Sequence, residues 1–133
     1  MKTYNSILLI DDSDSDNFLH TRILKKTGIT DKIIVKNNGV TALEYLKEQI
    51  AIDSTDPELI FLDINMPGMN GWEFLDEYDK LDEKSKEGII ICMLTTSYAT
   101  PDIEKAKSND CIHSFISKPL TKEKLLTVLE NIE

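Results

Sequence analysis

Leu59-Ile-Phe-Leu-Asp63-Ile-Asn65-Met-Pro67-Gly68-Met-Asn-Gly71-Trp-Glu-Phe-Leu75 is the stretch on which the fold of this chain turns. Four apolar residues run into one aspartate, and a segment rich in Pro, Gly and Asn follows at once. A short apolar run closed by turn-forming residues is the pattern of a strand buried on both faces. In an open parallel sheet, ligands bind beyond the carboxyl ends of the strands, which puts Asp63 at the mouth of that crevice. By itself a strand-end aspartate means little, because short polar side chains are favoured in turns for local reasons. What Asp63 does depends on what the other strands end in.

Upstream, Ile7–Ile10 is another buried run, stopped by Asp11-Asp12-Ser13-Asp14. Leu19 and Ile23 share one face of a helix expected over about Ser15 to Thr27, with Ser13 or Asp14 as its cap and Gly28 as its stop. Lys32–Lys36 reads as a strand. Asn37-Asn38-Gly39 then turns the chain into a helix carrying Leu43, Leu46 and Ile50, and Asp53 to Pro57 is a polar loop. Downstream of Gly71 a helix turns Phe74 or Leu75, Tyr78 and Leu81 inward. The charged segment Asp82 to Glu87 reads as a solvated loop and Ile89–Leu94 as a strand. Pro101 opens a helix with a thin stripe, Ile103 and Ala106. Cys111–Ile116 is the last strand, ended by Ser117-Lys118-Pro119. Thr121 caps a final helix whose Leu125, Val128, Leu129 and Ile132 form one face. Strand and helix alternate five times, and the strands are continuous apolar runs. The expectation is an α/β, doubly wound, five-stranded parallel sheet with helices on both faces, in the flavodoxin-like order 2-1-3-4-5.

At 133 residues the chain has the length of one domain, and the expectation is a single domain over 1–133 without a fused output domain. A formal charge of −9 argues against nucleic acid as partner, since phosphate binding needs a basic face. Cys92 and Cys111 fit no metal or redox spacing, and no apolar run is long enough for membrane insertion. A cytoplasmic location is expected.

In such a sheet the ends of strands 1, 3, 4 and 5 open on one rim, where this sequence places Asp11 and Asp12, Asp63, Thr95 and Thr96, and Lys118. Clustered carboxylates repel one another and are stable as anions only with a cation among them. Oxygen ligands at a wet rim, without His or Cys, suit Mg²⁺. An aspartate can act as a nucleophile toward phosphorus when a metal and a lysine neutralise the phosphoryl charge.

The pieces Leu-Ile-Asp11-Asp12, Leu-Asp63-Ile-Asn65-Met-Pro67-Gly-Met-Asn-Gly71, Met-Leu-Thr95-Thr96-Ser97 and Ser117-Lys118-Pro119-Leu span essentially the whole chain. Together they resemble the receiver domain of two-component response regulators, in the single-domain, chemotaxis-regulator-like form. The resemblance implies that Asp63 is the phosphoacceptor and that Mg²⁺ is held by Asp12, Asp63 and the backbone carbonyl of Asn65, with Asp11 acting through a water. It implies that Lys118 pairs with Asp63 or its phosphate, that Thr95 is the switch hydroxyl, and that Phe115 is the aromatic rotamer switch. It also implies a cis Lys118-Pro119 bond. The partners would be a histidine kinase or histidine phosphotransfer protein and an unnamed downstream protein target; the domain would be no enzyme beyond its own phosphorylation and dephosphorylation.

Two features depart from the family pattern. The segment from about Lys47 to Pro57 is long, and the spacing from the threonines to Lys118 is one residue longer than typical. Anchored on the strand, the switch is Thr95; anchored on Lys118 without a gap, it is Thr96. Thr95 is favoured because a surface segment near Ser108-Asn-Asp110 absorbs an insertion more easily than a buried strand end.

Competing readings remain. Asp12-Ser-Asp14-Ser-Asp16 imitates half of a calcium loop, but Asn17 stands where Gly is needed and Ile23 where the bidentate Glu belongs. A Mg²⁺-dependent phosphatase with an Asp nucleophile would use Asp12 and Asp14, yet needs a substrate-covering cap. A degenerate receiver acting only as a binding module would not need the acidic pair, Asp63, threonine and lysine together.

Overall fold

Apolar runs without a polar face must be covered on both sides, and all five become parallel strands. They are β1 (Ile7–Ile10), β2 (Ile33–Lys36), β3 (Leu59–Leu62), β4 (Ile90–Thr95) and β5 (Ile112–Ser117), in the order β2-β1-β3-β4-β5. The computed structural model describes residues 3–96 and 100–132. Six helices complete the described chain: α1 (Asp14–Thr27), α2 (Gly39–Ala51), α3 (Gly71–Asp79), α4 (Glu83–Lys86), α5 (Thr100–Ser108) and α6 (Lys122–Ile132). Fold class and strand order are those expected.

Strand residues alternate between two cores even though nearly all are apolar. Ile7, Leu9, Leu59, Phe61, Cys92, Leu94 and Ile116 pack with Leu24 of α1 and Leu125, Val128 and Leu129 of α6. Their neighbours Leu8, Ile10, Ile60, Leu62, Ile91 and Met93 pack with Leu43 and Leu46 of α2 and Phe74, Leu75 and Tyr78 of α3. Burial of a large apolar side chain such as Phe61 or Phe74 is worth about 1.5–3 kcal/mol, so these two layers hold the sheet between its helices. The sheet in turn fixes where its strand ends point.

Local signals set the helix limits. Ser13 caps α1 by accepting the Asp16 N–H at 3.2 Å, and Gly28 ends it in the left-handed region at φ 69°. Asn70 and Glu73 form a reciprocal capping box at the start of α3. Thr121 accepts the Lys124 N–H at 3.1 Å at the start of α6.

Two expectations need correction. Asp82 to Glu87 is not all loop: Glu83–Lys86 forms one helical turn, capped by Asp82. Nor is that segment wholly solvated, since Lys86 is 10% exposed, 5.6 Å from the Tyr78 ring centroid and hydrogen-bonded to Glu83 and the Asp79 carbonyl. Its alkyl stem covers Tyr78 while the ammonium keeps polar partners, which composition alone does not reveal. Trp72 is half-buried: its indole N–H donates to Asp102 at 3.2 Å and the Lys105 ammonium lies 4.9 Å from its ring centroid, joining α3 to α5. Ser97, the last residue of the threonine motif, lies outside the described residues.

Candidate functional site

Asp11 and Asp63 each stand two residues beyond a strand position that faces α1 and α6, Leu9 and Phe61, and the pleat carries them to that same side. Both are buried, at 4% and 5% exposure, whereas Asp12 points into solvent. Each of the three offers a carboxylate oxygen, and these oxygens lie within 4.8 Å of one another. The segment after Asp63 is held tightly. Gly71 N–H donates to the Ile64 carbonyl at 2.7 Å, and a Cβ on Gly71 would sit 2.6 Å from the Asp63 carbonyl oxygen. Only glycine allows α3 to start this close to the Asp63 peptide.

Lys118 enters from the end of β5. Its N–H donates to the Thr95 carbonyl at 2.9 Å, and its bond to Pro119 is cis. The ammonium, 8% exposed, lies 2.6 Å from Asp11, 2.8 Å from Asp16 and 3.6 Å from Asp63. Burial disfavours this charge, yet the hydrogen bonds to Asp11 and Asp16 outweigh it and hold Lys118 above the usual lysine range. Its hydrogen bond in turn holds the Asp16 carboxyl below the usual carboxylate range. Asp63 goes the other way. Desolvation and the neighbouring Asp11 charge push it up to about 6, against the pull of Lys118 and a hydrogen bond from the Asn65 N–H. The cluster carries more negative charge than one ammonium neutralises, and Asp63 bears the consequence.

Thr95 is fully buried at the end of β4, opposite Ser117, and Thr96 just beyond it is exposed. The register between β4 and β5 shifts by one: Ile91 pairs with Ile112 but Cys92 with Ser114, so His113 is an extra residue in β5. Because of that bulge Phe115 pairs with Met93 and lies on the face that Thr95 shares. Phe115 is half-buried and packs against the core on the α2–α3 side.

The structure thus brings Asp11, Asp12, Asp63 and Lys118 together, with Asn65 adjoining through its backbone. It sets Thr95 and Phe115 on a shared face of neighbouring strands. It also adds residues not singled out for the site: Asp16, which shares the ammonium; Asn17, whose buried amide donates to the Asp11 carbonyl at 2.8 Å; and His20. The His20 Nε2 lies 3.5 Å from the Leu120 N–H, tying α1 to the loop after Lys118. Burial, helped by the Lys118 charge, holds its pKa down. Their signal was helical spacing, Asp16 to His20 being one turn on the face of Leu24. Asp14, the acid a phosphatase would need, is exposed beside Lys36 and Thr41.

The family model for the response regulator receiver domain matches residues 7–130. This chain belongs to that family. Over 127 residues it is 32% identical to a probable methanogenesis regulatory protein, FilR2, of Methanothrix harundinacea, covering 96% of this chain and 80% of that one. It is 28% identical to the response regulator Rcp1 of Synechocystis sp., over 96% of this chain and 85% of that one. Among solved structures, a two-component response regulator from Cytophaga hutchinsonii superposes with a TM-score of 0.89 at 36% identity over 98% of both chains. The Mn²⁺-bound form of Rcp1 superposes with a TM-score of 0.75 at 29% identity, covering 95% of this chain and 90% of that one. Receiver domains are signalling domains that take phosphoryl groups from histidine kinases. No helix among the described residues is long and apolar enough to cross a membrane.

Proposed function

We propose that this chain is a phosphoacceptor response regulator in which Asp63 takes a phosphoryl group from a histidine kinase or histidine phosphotransfer protein. The observation that carries the proposal is the convergence of three carboxylate oxygens within 4.8 Å with an ammonium 3.6 Å from Asp63. A donor set made only of oxygens fits a hard divalent cation, and the manganese-bound state of Rcp1 supports a metal in this family. Asp12, Asp63 and the Asn65 carbonyl would hold Mg²⁺ directly, with Asp11 acting through a water. When bound, the ion neutralises charge on the carboxylates and on the incoming phosphoryl oxygens.

The Asp63 carboxylate attacks phosphorus, an O–P bond forms and the P–N bond of the phosphohistidine breaks. Its electron pair stays on the imidazole nitrogen, and a proton carried by the other ring nitrogen of the phosphohistidine makes the departing imidazole neutral. Lys118 donates hydrogen bonds to the phosphoryl oxygens, and the raised pKa keeps it charged for that role. Water attack on phosphorus later returns Asp63 and inorganic phosphate. Thr95 supplies a hydroxyl to a phosphoryl oxygen. Its burial and its shared face with Phe115 favour it over Thr96 as the switch, with Phe115 turning into the space that Thr95 leaves. Residues 1–133 are read as one receiver domain in the cytoplasm, whose output runs through contacts with a downstream protein.

Acetyl phosphate with Mg²⁺ should add one phosphoryl group per chain, seen by intact-protein mass spectrometry, and none to Asp63→Asn. Equal labelling of Asp63→Asn would remove the proposal. Turnover of p-nitrophenyl phosphate in place of stoichiometric labelling would favour the phosphatase reading.

A further inference from the structure

The Lys118 ammonium sits on the α1 side of the rim, held by a carboxylate to which phosphoryl transfer itself gives no part. The ammonium is 2.8 Å from Asp16 and 2.6 Å from Asp11, but 3.6 Å from Asp63, outside good hydrogen-bond distance. Asp16 is poorly placed to follow that ammonium if it moves. Its own N–H is bound by Ser13 at 3.2 Å, and the next residue, Asn17, is anchored in the interior to the Asp11 carbonyl at 2.8 Å. The first turn of α1 is therefore pinned to the end of β1, and the Asp16 backbone with it.

We propose that Asp16 is a positioning residue that tethers Lys118 away from Asp63 in the resting protein, and that a phosphoryl group on Asp63 draws the ammonium off this tether. The inference rests on Asp63 being the phosphoacceptor. A lysine ammonium has three N–H donors; Asp11 and Asp16 stand at hydrogen-bond distance from it, and Asp63 only at ion-pair range. A phosphoryl group adds strongly charged acceptor oxygens on the Asp63 side. As the ammonium moves toward them its distance from Asp16 grows, because α1 is fixed. Asp16 then opposes loading of Asp63 by whatever that contact loses. It also gives α1 a contact whose length follows the state of the site.

The test compares Asp16→Asn, which keeps shape and removes charge, with Asp16→Glu, which keeps charge. Asp14→Asn serves as control: it removes a charge from the same helical turn, and Asp14 is exposed and has no contact with Lys118. In metal-free protein, the ¹⁵N ammonium resonance of Lys118, assigned by its loss in Lys118→Arg, should shift in Asp16→Asn and stay put in Asp14→Asn. With Mg²⁺ present, beryllofluoride as phosphoryl mimic should bind Asp16→Asn about three- to tenfold more tightly, the size expected for losing part of one charge-assisted hydrogen bond at a partly exposed carboxylate. Asp16→Glu should bind nearly as the parent does. An unchanged or weaker affinity in Asp16→Asn would overturn the tether, as would equal tightening in Asp14→Asn, which would reduce the effect to general charge. If the parent protein binds no beryllofluoride, the phosphoacceptor reading fails instead, and the ammonium spectra alone decide whether Asp16 holds Lys118.

Discussion

Replacing Asp63 with Asn should stabilise the metal-free protein, and the gain should grow with pH. Burial and the Asp11 charge raise the Asp63 carboxyl from 3.8 to about 6 in the folded state. A raised carboxyl pKa means that folding favours the neutral acid. Stability is therefore full below the unfolded value of 3.8 and is lost as pH climbs through about 6. Two units correspond to about 3 kcal/mol as a ceiling, and water at the rim reduces this to on the order of 1–2 kcal/mol. Asn removes the cost without orphaning a partner. Lys118 keeps Asp11 and Asp16, and an amide oxygen can still accept from the Asn65 N–H. Urea unfolding in EDTA should show Asp63→Asn more stable by about 1–2 kcal/mol near pH 8, with the difference shrinking toward pH 4. Saturating Mg²⁺ should close the gap by stabilising the parent. A destabilised Asp63→Asn, or a gain that is the same at every pH, would refute the electrostatic reasoning.

Gly71→Ala should cost about 2–3 kcal/mol in thermal or urea unfolding and weaken Mg²⁺ binding, because the new Cβ meets backbone at Asp63 and Ile64 that has no rotamer to escape into. Asp12→Ala should lower Mg²⁺ affinity at least about tenfold by titration calorimetry with little loss of fold stability, since Asp12 is exposed; unchanged affinity would place the metal elsewhere. Thr95→Ala should leave Asp63 open to labelling while abolishing the NMR response of residues around Phe115 to beryllofluoride, and Thr96→Ala should preserve both. The opposite pattern would make Thr96 the switch.

The sheet was readable because its strands are uninterrupted apolar runs, each closed by a polar or turn-forming residue, and such runs admit few arrangements. The rim acids and Lys118 were readable for the same reason: a strand end is a fixed place. Asp16 was not, because its sequence position explains it equally well as a helix N-terminal acid. Only the fold shows that α1 carries it to an ammonium 102 residues away. His20 was hidden likewise, its partner being the Leu120 backbone. The bulge that the β4–β5 register places at His113 was not legible either. A bulge leaves no mark in an apolar pattern as short as this. Lys86 was misread because composition counts its charge and not its stem.

The proposed signalling role depends most directly on which atom receives the phosphoryl group. Protein loaded from a phosphorylated histidine kinase or acetyl phosphate can be treated with borodeuteride, which reduces an aspartyl phosphate to deuterated homoserine and leaves free carboxylates untouched. Peptide mass spectrometry should then find homoserine at position 63 and nowhere else. Homoserine at Asp11 or Asp12, or a phosphoryl group on His20 or His113 with Asp63 unmodified, would contradict it.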